Sequence, residues 1–157
     1  MKQLIDQYAA YNLWANTRLV ERLQREPDAL LDRHVKSSFP GLRATVLHIR
    51  DSSSTWHVRA FGAERAAAGN GIDSLLQVSV ALRDRVLALG GADLGAMVAY
   101  TTAKGQACNQ PRWQLLMHCF NHATYHRGQV VTIMRQLDLQ EIPAMDLVVY
   151  QRLSPGM

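Results

Sequence analysis

Cysteine is nearly absent from this 157-residue chain, with Cys108 and Cys119 as the two examples. They form no CxxC pair and no disulfide framework, which excludes a small scaffold held by bridges. The opening stretch MKQLIDQYAAYNLW lacks the continuous apolar core of a signal peptide. A reducing, cytoplasmic setting is the expectation. Long apolar runs are missing as well: Arg or Asp interrupts every hydrophobic segment before the ~20 residues that a membrane span needs, so we expect a soluble protein with no membrane partner. There is no Gly-rich phosphate loop, no Lys/Arg run and no basic stripe interleaved with aromatics. The net charge of +4 and a pI near 9.4 invite a nucleic-acid reading. However, Arg18, Arg22, Arg25, Arg33 and Lys36 are scattered among acids, as on an ordinary solvated surface, and no nucleic-acid partner is expected. No internal repeat or low-complexity tract divides the chain. A length of 157 residues fits one domain over 1–157, able to bury roughly 68–70% of its unfolded surface.

What is present is helical periodicity. Leu4, Tyr8, Tyr11, Ala15, Leu19 and Leu23 recur at spacings of three and four, predicting a first helix over about 3–25 with one apolar face. Pro27 closes it; Pro40 and Gly41 precede a second pattern with Val46, Ile49, Trp56 and Ala60 on one side, predicting a helix over 41–61. Its centre, Asp51 to Thr55, is rich in short polar side chains that compete for backbone hydrogen bonds, so packing must hold it helical. Ala66 to Gly71 reads as a loop, and Leu75, Leu82, Val86 and Leu89 mark a third helix stopped by Gly90 and Gly91. Residues 95 to 110 fit an irregular excursion or a short β-hairpin. Pro111 sits in a position suited to a helix's first turn, and the segment Trp113 to Leu137, with no proline inside it, predicts the longest helix. That helix reads as apolar almost all round, through Leu115, Leu116, Met117, Phe120, Val130, Val131, Ile133 and Met134. It must be covered on more than one side, so either it occupies the middle of the bundle or one face meets a second subunit, and a homodimer is the expectation. Leu147, Val148 and Tyr150 suggest a short docked helix in the tail 144–153. The expected class is all-α: a four-helix bundle with an irregular excursion before helix four and a short C-terminal helix.

His118, His122 and His126 stand four apart on the fourth helix, stacked at roughly 40° and 6 Å per step along one stripe. A histidine pair at i and i+4 can hold one metal ion at about 2.0–2.1 Å. His118 and His126 are two turns apart, about 12 Å of rise, so one ion takes His118 with His122 or His122 with His126. A lone helical histidine is usually a structural residue; three in register are less easily dismissed. A mononuclear site needs a third ligand from another element, and His34, His48 and His57 are the candidates. His34 falls in a loop. His48 and His57, nine residues apart, face about 180° from each other, so one of them faces inward, and spacing does not choose which. Cys119 lies three before His122 and is better read as a buried thiol than as a soft ligand; Cys108 is no better placed.

The segment Asn121-His122-Ala123-Thr124-Tyr125-His126-Arg127-Gly128-Gln129 resembles the NHxxxHRGQ signature of the DinB/YfiT-like family of proposed metalloenzymes. Tyr11-Asn12-Leu13-Trp14-Ala15-Asn16, His48-Ile49 followed by Trp56, and the stretch from Pro143 through Asp146 to Tyr150 are similar to the family's pattern too, so the resemblance covers nearly the whole chain. It implies the four-helix bundle of that type and one divalent metal ion per subunit held by His48, His122 and His126, with His118 as a neighbour. Many relatives carry an acid about five positions after the helix-two histidine. Here Ser53 stands there and Asp51 is displaced by two, which weakens the case for an acid–base role at that position. Of the surrounding residues, His118, Asn121, Arg127 and Gln129 are candidates for supporting the ligands. Gly128 is read as permitting close helix packing, Arg127 and Gln129 as satisfying buried polar groups or a subunit contact, and Tyr125 as packing.

Three histidines with an open position suit zinc or nickel and lower the pKa of a bound water or thiol. The resemblance implies metal-dependent activation of a low-molecular-weight thiol toward a small electrophile, as a transferase or isomerase would use it. A metal-binding dimer without catalysis, sensor or structural, stands beside it, the more so for the missing acid. Metal-dependent hydrolysis is a third reading, for which the sequence names no convincing general base.

Overall fold

The computed structural model describes residues 1–64 and 69–153. Seven helices and two strands follow in order among them: α1 (Lys2–Leu23), α2 (Asp28–Leu31), α3 (Leu42–Phe61), α4 (Ser74–Leu87), α5 (Gly91–Gly95), β1 (Met97–Thr101), β2 (Ala107–Pro111), α6 (Arg112–Gln136) and α7 (Leu147–Leu153). The long helices fall where periodicity places them. The loop expected over 66–71 lies partly outside the described residues. α3 runs unbroken through Asp51–Thr55: Ser53 is buried, and the Thr55 hydroxyl folds back on the Asp51 carbonyl at 2.8 Å. α2 and α5 are single turns with no periodicity to announce them. Asp93 accepts the Gly90 N–H at 2.8 Å and starts α5.

Of the two alternatives for the excursion, the hairpin is correct. β1 and β2 pair antiparallel with Tyr100 opposite Cys108 and Met97 opposite Pro111. The turn closes through Thr102 N–H to the Gln106 carbonyl, with Gly105 at φ +80°, a conformation that favours glycine. Pro111 is therefore the last residue of β2 and precedes α6, rather than lying in its first turn. The Arg112 guanidinium fastens this junction to the end of α3 by donating to the Ala60 carbonyl at 2.8 Å.

α1 packs on α4 and α6, and α3 packs on the same two helices. The core falls into two apolar clusters. One holds Leu19, Leu23, Val46, Ile49, Leu75, Val130 and Ile133; the other holds Ile5, Ala9, Ala60, Leu82, Val86, Leu116 and Phe120. Residue numbers across the two show α1 and α6 running one way and α3 and α4 the other. Each long helix carries a buried polar residue among its buried apolar ones: Asn12 and Asn16 in α1, Ser53 in α3, Ser79 in α4 and Arg127 in α6. The Arg127 guanidinium donates to Asn12 Oδ1 and Asn16 Oδ1 at 2.8 and 2.9 Å, and the Asn16 amide donates to Ser79 Oγ at 2.9 Å. Paired in this way, these groups escape the cost of buried unsatisfied polar atoms.

Two expectations are corrected by burial. Leu4 is exposed, because Ile5 and Ala9 are the residues that turn inward there. α6 is not apolar all round: Leu115, Leu116, Cys119, Phe120, Ala123, Val130, Ile133 and Met134 are buried within the chain, while His118, Asn121, Thr124, Tyr125, Gly128, Thr132 and Arg135 are exposed. The apolar side is covered by α1 and α3, so it does not require a second subunit. No helix among the described residues is long and apolar enough to cross a membrane. The tail docks on α1, with the Tyr11 hydroxyl donating to the Met145 carbonyl at 2.7 Å and Tyr150 packed against Tyr11 and Trp14.

Candidate metal centre

α3 and α6 are direct neighbours, and their contact brings three imidazoles together. His48 from α3 and His122 and His126 from α6 each offer one ligand atom, all within 4.8 Å of one another. His48 Nε2 lies 3.3 Å from His122 Nε2, and His126 Nε2 lies 3.1 Å from His122 Nε2. Nitrogens about 2.0–2.1 Å from a tetrahedral ion stand roughly 3.3 Å apart, so the spacing fits a metal ion, and the group could hold one. Spacing along the chain left the third ligand open; the structure brings His48 to the pair. His57 lies on another side of α3, its ring edge-on to Phe61 and its buried Nε2 without a hydrogen-bond partner among the described residues. His34 is exposed in the segment before α3. His118 stands one turn from His122, with ring centroids 6.0 Å apart, and meets the Trp56 ring edge-on at 4.5 Å.

The surroundings favour neutral His48 and His122 and orient His126. Burial pushes the His122 pKa down to about 4, helped by the neighbouring His126, His48 and His118. Burial also lowers His48, with His126 adding to the effect and Asp51 opposing it. A neutral imidazole offers a lone pair, and a protonated one cannot ligate. His126, buried, has its Nδ1 2.7 Å from Gln129 Oε1, while the Gln129 amide nitrogen donates to Ser38 Oγ at 3.1 Å. With the oxygen facing the ring, His126 carries its proton on Nδ1 and presents a bare Nε2 to the other two imidazoles; this tautomer follows from the hydrogen-bond network. Phe39, which the sequence reading passed over, stacks on His48 at 4.1 Å and meets His126 edge-on at 5.6 Å. An aromatic residue just before the Pro40-Gly41 helix start was the available signal. Gly41 allows the chain this close: a Cβ there would sit 2.9 Å from the Arg33 carbonyl oxygen.

Arg127 and Gln129 do satisfy polar groups, as expected, but at different places: Gln129 at the imidazoles, Arg127 in the polar layer between α1 and α6. Asn121 is exposed. Tyr125 does not pack into the core; it is 64% exposed and meets the His126 ring edge-on. Gly128 serves no close helix contact, since a Cβ there would meet nothing within 4 Å. Ser53 is buried and hydrogen-bonds the Cys119 thiol, whose pKa burial pushes up to about 12; Cys119 is the inert buried thiol expected of it. Asp51 is paired with Arg50 at 2.8 Å.

A mostly helical chain whose α3 and α6 bring together three histidines able to hold a metal ion is the class that fold and site define. The chain belongs to the DinB family, whose model matches residues 1–156. It is similar to Protein DinB of Bacillus subtilis (strain 168), 23% identical over 155 residues that cover 85% of this chain and 86% of that protein.

Proposed function

We propose that the protein is a cytoplasmic metal-dependent enzyme. One divalent ion per chain, zinc or nickel, is held by His48, His122 and His126, and the site activates a low-molecular-weight thiol toward a small electrophile. The four long helices form one bundle domain over 1–157, and two copies form a homodimer. The observation that carries the reading is the convergence of three imidazoles at the half-exposed edge of α3 and α6, which leaves a coordination position open to a small molecule.

When bound there, the ion lowers the pKa of a thiol toward neutrality. The chain's own residues do the rest. Gln129 fixes the His126 tautomer, Phe39 covers one side of His48 and His126 and keeps water from it, and Trp56 with His118 walls the next turn. In the transfer, the thiolate sulfur forms a bond to the electrophilic carbon, the leaving group departs with its bonding pair, and the thiol proton passes to solvent. The test is elemental analysis of tag-free protein followed by turnover assays with several biological thiols and an aryl halide, and with a simple ester in the absence of thiol. About one metal per chain, together with thiol-dependent product lost in the His48/His122/His126→Ala variant, supports the proposal. Metal without turnover favours the non-catalytic sensor or structural reading, which draws support from the pairing of Asp51 with Arg50 and the burial of Ser53. Ester cleavage without added thiol points to the hydrolase reading.

A further inference from the structure

One well-formed cavity among the described residues does not open on the imidazoles. It is a groove of about 580 Å³ on another face of α6, between that helix, Tyr8 and Tyr11 of α1, and the segment 142–147. Along α6 it is lined at positions 117, 121, 124, 128, 131 and 135, a stripe centred roughly 140° around the helix from His122. We propose that this groove is a second binding site, for a small monocarboxylate with an apolar body.

Three observations carry it. The first is Gly128, in the middle of the 25-residue α6, where glycine costs roughly 1 kcal/mol relative to alanine. Nothing in the fold calls for it, because a Cβ would meet nothing within 4 Å. Gly128 lines the groove, and any larger side chain at this position would project into it. The second is charge. Arg127 lines the groove and is 3% exposed, held by amide and hydroxyl oxygens and by the Tyr11 ring, with no carboxylate partner among the described residues. Arg135, exposed at the groove's end, likewise makes no ion pair among them. Two guanidinium groups face one acid, the exposed Asp146. A buried cation without its counter-charge favours an anion, and Arg135 offers the accessible fork for a carboxylate. The third is the lining itself: Tyr8, Met117, Val131, Ile142 and Met145 supply the apolar wall that a ligand body needs, in a volume typical of small-molecule sites.

The experiment titrates octanoate, octanol and octylamine into the full-length protein by calorimetry and ligand-observed NMR, using wild type, Gly128→Phe, Arg135→Gln and the His48/His122/His126→Ala variant. Arg127 is left alone because it ties α1 to α6. Octanoate is expected to bind wild type and the triple-histidine variant equally, which separates the groove from the metal centre, and octylamine is expected not to bind. Gly128→Phe, whose ring fills the groove from an exposed helix position, should abolish binding with its melting temperature kept. Arg135→Gln should weaken octanoate about tenfold and leave octanol unchanged. The proposal is overturned if octanoate fails to bind at millimolar concentration, binds no better than octylamine, or binds Gly128→Phe as well as wild type. Loss with the triple variant would assign binding to the metal centre. No octanoate binding, together with a dimer dissociated by Gly128→Phe, would show the groove to be a seat for a second copy.

Discussion

Each histidine has a distinct environment, so the variants should separate. His122 is central, within about hydrogen-bond distance of both His48 and His126, whereas His118 leans on Trp56. His122→Ala is expected to abolish stoichiometric zinc binding and His118→Ala to retain at least half, as read by metal analysis after dialysis; equal loss would remove His122 from its central place. On α3 the contrast is between His48 and His57: His57→Ala should leave metal content at the wild-type level and His48→Ala should not. The His122 pKa adds a pH dependence. On acidification the unfolded chain takes up this proton near the ordinary 6.5, while the folded chain resists until about 4, so apoprotein stability falls as pH drops through that window. His48, His57 and His118, all lowered chiefly by burial, act in the same direction. Thermal melts of the apoprotein between pH 7 and 4.5 should show a falling Tm, and the fall should be shallower in His122→Ala.

At the scale of elements, the unusual part of the fold is the stretch between α6 and α7, which has no regular structure yet forms a groove wall. Arg22 of α1 holds it, donating from Nε and Nη2 to the Gln140 carbonyl at 3.1 and 2.7 Å while Nη1 pairs with Glu26; Arg18 donates to the Ala144 carbonyl at 3.1 Å. Arg22→Ala should loosen this segment without unfolding the helices. Hydrogen exchange is expected to speed up over 138–147 and stay unchanged in α3 and α6; unchanged protection over 138–147 would show that Tyr11 and Tyr150 suffice. Such long-range clasps explain what the sequence concealed. The long helices were legible because Leu19, Ile49, Leu82 and Val130 repeat with a period that only a helix uses. The strands were ambiguous because their exposed and half-buried residues alternate without a strong apolar set, and α2 and α5 are too short to have a period at all. Spacing showed that His122 pairs with a histidine one turn away, either His118 or His126, and the family resemblance pointed to His126. The third ligand was not visible from spacing, since His48 and His57 differ only in which side of α3 meets α6. The roles of Gly128 and Tyr125 were misjudged for a related reason: the identity of a residue on a helix does not reveal which of its faces the rest of the chain leaves open.

At the scale of the whole molecule, the question is where two copies would meet. The apolar side of α6 is filled by its own chain, so the case for a dimer moves elsewhere. Val80 and Leu87, seven apart on one side of α4, are 39% and 47% exposed, and Leu4 is 52% exposed. The Lys2 ammonium, which donates to the Val86 and Leu87 carbonyls, places the start of α1 at the end of α4, so Leu4 and Leu87 belong to one end of the molecule. A two-fold contact there would bury the same apolar residues from both subunits without using His48, His122 or His126. Light scattering is expected to give about twice the 17.6 kDa chain mass, and Leu4→Glu with Leu87→Glu should reduce it to the single-chain value. Because neither residue is near His48, His122 or His126 in the fold, the monomeric variant should still hold one zinc per chain. Loss of metal on dissociation would instead mean that the partner completes the site, and a wild-type mass of one chain would mean that the exposed leucines are ordinary surface.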